Sequence, residues 1–188
     1  MELENTLKKI AKLLQNLQIP YLVTGGVAVV VWGRPRYTAD IDLIIELKKE
    51  KVKKFMIALA KEGYVDEDAV NEALKHKGEF NFIDNGTGMK VDFWILQDSD
   101  FDRSRLKRKV ARQIFGQKVF FSSPEDLILK KLLWFNESKS SRQLEDIHSV
   151  MAIRKDQLDY NYLRKWAKKQ KTSGLLEEMI SISKTKLQ

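Results

Sequence analysis

Apolar residues recur at helical spacing over residues 3–17. Leu3, Leu7, Ile10, Ala11, Leu14 and Leu17 share one face, and Lys8, Lys9 and Lys12 turn away from it. Pro20 closes that segment, and Tyr21-Leu22-Val23 begins a short buried strand. Gly25-Gly26 breaks the strand, and Val27 to Trp32, too apolar for a loop, is predicted as a short buried helix starting at the glycine pair. Gly33-Arg34-Pro35-Arg36 reads as a basic turn. A β-branched run predicts a strand over 41–47, and Val52, Phe55, Met56, Leu59 and Ala60 predict an amphipathic helix over 48–62. Residues 80–83 and 90–96 form two antiparallel strands around the turn signal Asp84-Asn85-Gly86-Thr87-Gly88. The charge-rich stretch 99–112 is expected to be a loop leading to a short strand at 118–121.

From Ser123 the pattern turns helical. Ser123 can cap, Pro124 suits the first helical position, and Glu125 and Asp126 suit the positive end of the helix dipole. Helices are predicted over 124–135, 141–152, 159–170 and 173–183, with no internal repeat and no low-complexity linker. The expected class is α+β: a short mixed sheet flanked by helices within a core domain of residues 1–121. A helical region of residues 122–188 is expected to pack on that core.

Composition narrows the chemistry. The 188 residues contain no Cys and two His, His76 and His148, so disulfides, thiolate metal sites and multi-histidine sites are excluded. No apolar run approaches the roughly 20 residues of a membrane helix, and the N-terminus lacks a signal-peptide core, so a cytoplasmic protein without membrane contact is expected. The net charge of +8 is unevenly spread. Residues 1–102 hold 14 basic and 17 acidic side chains, whereas residues 103–188 hold 20 and 9. Such a basic half attracts polyanions or is a solvated lysine-rich surface. The run Arg103–Lys109 is open to the same two readings, phosphate contact or exposed basic turn.

Asp40 and Asp42 open the strand after the basic turn. Their i, i+2 spacing projects both carboxylates from one face while Ile41 and Leu43 enter the core. Two such carboxylates repel unless a cation lies between them, and oxygen ligands without Cys or His favour Mg²⁺ or Mn²⁺; otherwise the pair is simply solvated. Gly25-Gly26 lies between a strand and a helix, where bare amides can hold phosphate oxygens or make a tight turn. Asp92 alternates with Val91, Phe93 and Ile95 and so faces away from the apolar side. It requires either a cation site or a Lys or Arg from an adjacent strand. His148, Trp134, Phe135 and Trp166 read as packing residues, and Ser122-Ser123 has no evident base.

Together Gly25-Gly26, Asp40-Ile41-Asp42 and Asp92 resemble the nucleotidyltransferase fold of the DNA polymerase beta superfamily over residues 20–96. Arg36-Tyr37-Thr38-Ala39-Asp40-Ile41-Asp42 is similar to the R-x-T-x-D-x-D form of small bacterial and archaeal members, toxin–antitoxin-type proteins among them. The segments from Ser123, Ser141 and Leu158 resemble the helical tail of a family of small nucleotidyltransferase-like proteins, in which equivalents of Lys131 and Asp146 recur.

The resemblance implies a metal-dependent, ATP-type nucleotide-binding transferase that moves a nucleoside monophosphate from a triphosphate to an acceptor hydroxyl. Asp40, Asp42 and Asp92 would be catalytic and hold Mg²⁺ or Mn²⁺; Thr24, Gly25, Gly26, Arg36 and Lys131 would bind the nucleotide. The basic half favours an RNA end or a protein as acceptor over a small cationic antibiotic. The competing expectation is an inactive nucleotide-binding or regulatory protein, such as a toxin–antitoxin component. Gly-Gly where many active members carry Gly-Ser is a departure from the family pattern.

Overall fold

A computed structural model describes residues 2–114 and 116–185. The chain divides into two compact units. One comprises Met1–Val27 and Tyr37–Ser122, the other Ala28–Arg36 and Ser123–Gln188.

The first unit is built on a mixed sheet. Its strands are β1 (Tyr21–Val23), β2 (Asp40–Ile45), β3 (Gly63–Val65), β4 (Glu79–Asp84), β5 (Lys90–Ile95), β6 (Val110–Ile114) and β7 (Gln117–Phe121). They lie in the order β3-β4-β5-β2-β1-β7-β6. β2 pairs in parallel with β5 and β1 in parallel with β7, while the other neighbours are antiparallel. The fold is therefore α+β with a mixed sheet, as the sequence pattern predicts.

Strand alternation gives the sheet two unlike faces. Ile41, Leu43 and Ile45 of β2 and Val91, Phe93 and Ile95 of β5 are buried. On that side Phe80 stacks on Phe93 with ring centroids 5.1 Å apart, and Phe55 meets Phe93 edge-on at 5.6 Å. Such offset and T-shaped geometries suit aromatic quadrupoles and add to the burial of apolar area. Phe55 comes from α3 (Lys49–Ala60). The other side carries Asp40, Asp42, Lys90 and Asp92, then Ile44 and Trp94, and Leu22, Ile44 and Leu96 cluster with Trp94 and Leu106.

Helix α1 (Glu2–Asn16) buries Leu7, Ile10, Ala11 and Leu14. It is tied to the β4–β5 turn by polar contacts. Asp84, fully buried, accepts hydrogen bonds from Thr6 Oγ1 at 3.0 Å, Lys9 Nζ at 3.1 Å and the Gly86 N–H at 2.7 Å. Burial alone would push this carboxyl up, but the bonds from Lys9, Gly86 and Thr6 outweigh it and hold it below the usual carboxylate range. A lowered acid contributes stability above its unfolded value and loses it as pH falls through the folded one. Asp84→Ala is expected to cost roughly 2–3 kcal/mol, since it removes the buried acceptor shared by Thr6, Lys9 and the Gly86 N–H and leaves Lys9 only Glu62 and the Thr6 hydroxyl only Thr87. Urea unfolding at pH 7 and pH 3 checks this, and the deficit should shrink at the lower pH.

Two segments depart from the sequence expectation. Residues 99–112 are not a loop: α5 spans Asp100–Arg108, and β6 follows it. Its dense charge, which suggested a loop, is a helix-terminus pattern. Ser99 caps by accepting from the Asp102 N–H, Asp100 and Asp102 occupy the first turn, and Arg105, Lys107 and Arg108 occupy the last. The Arg103–Lys109 run is thus mostly helical rather than a basic turn, and its Arg105 is buried with Nη1 on Asp102 Oδ1 at 2.8 Å. Between α3 and β4, β3 and α4 (Glu67–His76) also form, the helix capped by Asp66 through the Ala69 N–H at 2.8 Å.

In the second unit, the apolar α2 begins at the glycine pair and runs from Gly25 to Trp32, its later residues belonging to this unit. It is accompanied by α6 (Pro124–Ser138), α7 (Ser141–Arg154), α8 (Tyr160–Lys169) and α9 (Ser173–Thr185). Ser123 caps α6 through the Asp126 N–H, with Pro124 in the first turn. Asp126, fully buried, accepts from the Tyr162 hydroxyl at 2.6 Å, and Glu125 accepts from the Asp159 N–H at 3.1 Å. The acids that favour helix initiation therefore also bind α8 to α6. Arg154 fastens α7 to the end of α2 through the Trp32 and Val31 carbonyls. Trp166 is buried, consistent with a packing role, while Trp134 and Phe135 are half-buried.

Candidate functional site

Asp40 and Asp42 lie on β2, with Asp40 as its first residue. The parallel register sets Asp42 directly beside Asp92 and Asp40 directly beside Lys90. Because side chains at paired positions share a face, all three acids project from the polar side of the sheet. Thr38 Oγ1 donates to Asp40 Oδ1 at 3.2 Å. The Thr24 N–H donates to the Asp42 carbonyl at 2.9 Å, extending the β1–β2 ladder up to the glycine pair.

Gly25 has φ +59°, and a Cβ there would lie 1.8 Å from Asp42 Oδ2. The carboxylate thus occupies the space that any side chain at position 25 would need. The Gly26 N–H donates to the same carboxylate. Thr24 Oγ1, just before the pair, is buried without a hydrogen-bond partner.

Charge is crowded here. Burial, then the neighbouring Asp40 and Asp92 carboxylates, push Asp42 up to about 6, against the opposing pull of the Gly26 N–H and the Trp94 indole. Trp94 lies two residues beyond Asp92 on the same face, and its Nε1 is buried without completing a hydrogen bond. Asp92 is 8% exposed. Its Oδ2 is paired with Lys90 Nζ at 2.8 Å, while its Oδ1 is buried without a hydrogen-bond partner. The bond to Asp92 holds Lys90 above the usual lysine range, outweighing burial, and Asp40 and Asp42 add to it. The sequence suggested a partner from an adjacent strand; the cation comes from Asp92's own strand, two residues earlier. Lys90 and Trp94 were not singled out from the sequence, although the alternation of Lys90, Asp92 and Trp94 on one strand carries the signal.

The donor set is oxygen only, and an orphaned buried carboxylate oxygen asks for a positive neighbour, so these residues fit a hard divalent cation. Among the described residues, no three acidic or histidine side chains are drawn together tightly enough to enclose an ion as they stand.

Arg36 and Lys131, expected at phosphate, belong to the second unit. Arg36 donates to both Asp146 oxygens, Nε to Oδ1 at 2.7 Å and Nη2 to Oδ2 at 2.9 Å. Lys131 Nζ reaches Asp146 Oδ2 at 2.6 Å and Gln143 Oε1 at 3.0 Å. Burial raises the Asp146 carboxyl, but Arg36 and Lys131 outweigh it and hold the group below its usual range.

A family model described as nucleotidyl transferase of unknown function (DUF2204) matches residues 3–180. The chain belongs to this nucleotidyl transferase family. Solved structures share its fold at low identity. An antigenic nucleotidyltransferase-like protein from Paracoccidioides brasiliensis is 21% identical, with a TM-score of 0.55 over 80% of this chain and 75% of its own. The antibiotic-resistance factor ANT(2″)-Ia is 16% identical, with a TM-score of 0.60 over 93% of this chain and 95% of its own. A nucleotidyltransferase-like protein of Thermotoga maritima is 17% identical, with a TM-score of 0.52 over 73% of this chain and 88% of its own. These likenesses establish the nucleotidyltransferase fold for this family member. No curated protein matches its sequence. No helix among its described residues is long and apolar enough to cross a membrane.

Proposed function

We propose that this nucleotidyl transferase moves a nucleoside monophosphate from a nucleoside triphosphate to an acceptor hydroxyl. The observation that carries the reading is the lateral pairing of Asp42 with Asp92, with Asp40 on the same face and the glycine pair against Asp42. Like charges held this close, with one carboxyl pushed up to about 6, are costly to stability and are the mark of a site built for a cation.

Asp40, Asp42 and Asp92 would hold Mg²⁺ or Mn²⁺. When bound, such an ion supplies positive charge that offsets the growing charge of pyrophosphate. The protein's own residues do the rest. Gly25, lacking a side chain, leaves Asp42 its place, the Thr24 hydroxyl is buried without a partner and available to a triphosphate oxygen, and the Gly26 N–H, which Asp42 engages, would have to be released to serve one. Asp92 Oδ1, free of hydrogen bonds, accepts the proton of the attacking hydroxyl. The new bond joins the acceptor oxygen to the α-phosphorus, the α–β anhydride bond breaks, and pyrophosphate leaves with the electron pair.

ANT(2″)-Ia is described with adenylyl-2″-tobramycin, an adenylylated antibiotic. For this chain, the excess of 20 basic over 9 acidic residues in 103–188 favours an RNA end or a protein instead. The test incubates the pure protein with each α-labelled triphosphate, Mg²⁺ or Mn²⁺, and a cell extract. Label is expected on a macromolecule from the α-labelled triphosphate and not from one labelled at the β or γ position, whose label leaves as pyrophosphate. Triphosphate bound without transfer would favour a regulatory nucleotide-binding protein.

A further inference from the structure

Lys90 opens β5 and stands in register with Asp40, on the same face as all three acids. Its Nζ lies 2.8 Å from Asp92 Oδ2, while the other oxygen of that carboxylate, Oδ1, is buried without a partner. The two ends of this ion pair differ in exposure. The Asp92 side chain is 11% exposed and the Lys90 side chain 45%. A carboxylate so buried needs a positive neighbour at all times. A half-exposed lysine on a flexible four-carbon stem can leave for solvent at little cost, because its ammonium is already largely hydrated.

The acids also stop short of a closed ligand sphere, and Lys90 is what engages the Asp92 oxygen that would help complete it. We infer that Lys90 is a resident counter-cation: its ammonium neutralises Asp92 while no metal is bound, competes with the divalent ion for Oδ2, and is displaced when the ion enters. This rests on reading Asp40, Asp42 and Asp92 as the cation site. It assigns Lys90 a positioning role, holding the third acid charged and in place between turnovers. A purely structural ion pair would not respond to metal.

Mn²⁺ binding to the full chain, followed by electron paramagnetic resonance without nucleotide, tests this. Lys90→Met keeps most of the apolar stem and removes the competitor, so Mn²⁺ is expected to bind roughly two- to fivefold more tightly, the worth of a half-exposed ion pair. Lys90→Gln should behave alike, and Lys90→Arg should remain close to wild type. In reductively methylated protein, the Lys90 signal, identified by its loss in Lys90→Arg, should move toward that of a free side chain as Mg²⁺ is added. Unchanged or weaker Mn²⁺ binding in both neutral variants, or a Lys90 signal indifferent to Mg²⁺, overturns the counter-cation role while leaving the site intact. Asp92→Asn separates the two ideas: if it binds Mn²⁺ as well as wild type, the three-acid reading falls, and the role of Lys90 falls with it.

Discussion

Asp42→Asn is expected to abolish nucleotidyl transfer, by at least about 10³-fold in kcat, while making the metal-free protein more stable at neutral pH. Both effects have one cause. Burial and the adjacent Asp40 and Asp92 carboxylates raise Asp42 to about 6, so at pH 7 the folded protein carries a charge that its surroundings oppose. Between the ordinary carboxyl value of 3.8 and about 6, the folded state binds more protons than the unfolded state. Stability therefore falls as pH rises through that window. The neutral amide keeps an oxygen for the Gly26 N–H and removes the repulsion, a gain of up to about 2 kcal/mol at pH 7 that fades toward pH 4. Thermal unfolding in chelator across that range measures it. An Asn variant less stable than wild type at pH 7, or one retaining transfer, would contradict the account of this carboxylate.

Gly25→Ala is expected to damage both fold and activity. The backbone at φ +59° costs an L-residue roughly 1–2 kcal/mol. The added methyl would also lie 1.8 Å from Asp42 Oδ2, with the carboxyl carbon at 2.6 Å and Cβ at 2.9 Å. A carboxylate on a short, half-buried side chain cannot clear that space without moving β2 or the start of α2. The combined cost is on the order of 3 kcal/mol, and displacing a carboxylate proposed to hold the reacting centre should lower transfer by about 10²-fold. Chemical denaturation and single-turnover transfer read the two consequences separately. Gly26→Ala, compared in the same assays, shows whether the damage is particular to position 25.

The long apolar periodicities translated directly into elements. Over 3–17 the spacing of Leu7, Ile10 and Leu14 can only be buried by a helix, and over 41–45 alternation with Asp40 and Asp42 suits a half-buried strand. Charge obscured α5. Its Asp100, Asp102 and later basic residues look like solvated loop until Ser99 is recognised as a cap and the charges as matched to the helix dipole. The short β3 and β6 lack a periodic signature, because three to five residues on a sheet edge owe their conformation to their neighbours' hydrogen bonds.

At the site, the D-x-D spacing, the glycine pair and the isolated Asp92 were visible as residue types in suggestive positions. Their relation to one another was not. That Asp92 lies beside Asp42 depends on the pairing of β2 with β5, whose residues are 50 positions apart, and local sequence does not encode register between distant strands. The same holds for Asp146, which draws in Arg36 from 110 positions away. Lys90 was within reach of strand alternation alone, being two residues before Asp92, yet only the folded chain decides which carboxylate its flexible stem selects.

By itself, the amino-acid sequence determined the α+β alternation, the oxygen-only chemistry of a chain without Cys and with two His, and the placement of two aspartates on one strand face. Those follow from local geometry and composition. The tertiary structure decided which carboxylate stands beside which, that a lysine holds the third, and that residues 28–36 group with the C-terminal helices. Such features arise from strand pairing and packing between distant segments, where the energy lies in contacts that no stretch of a few residues contains.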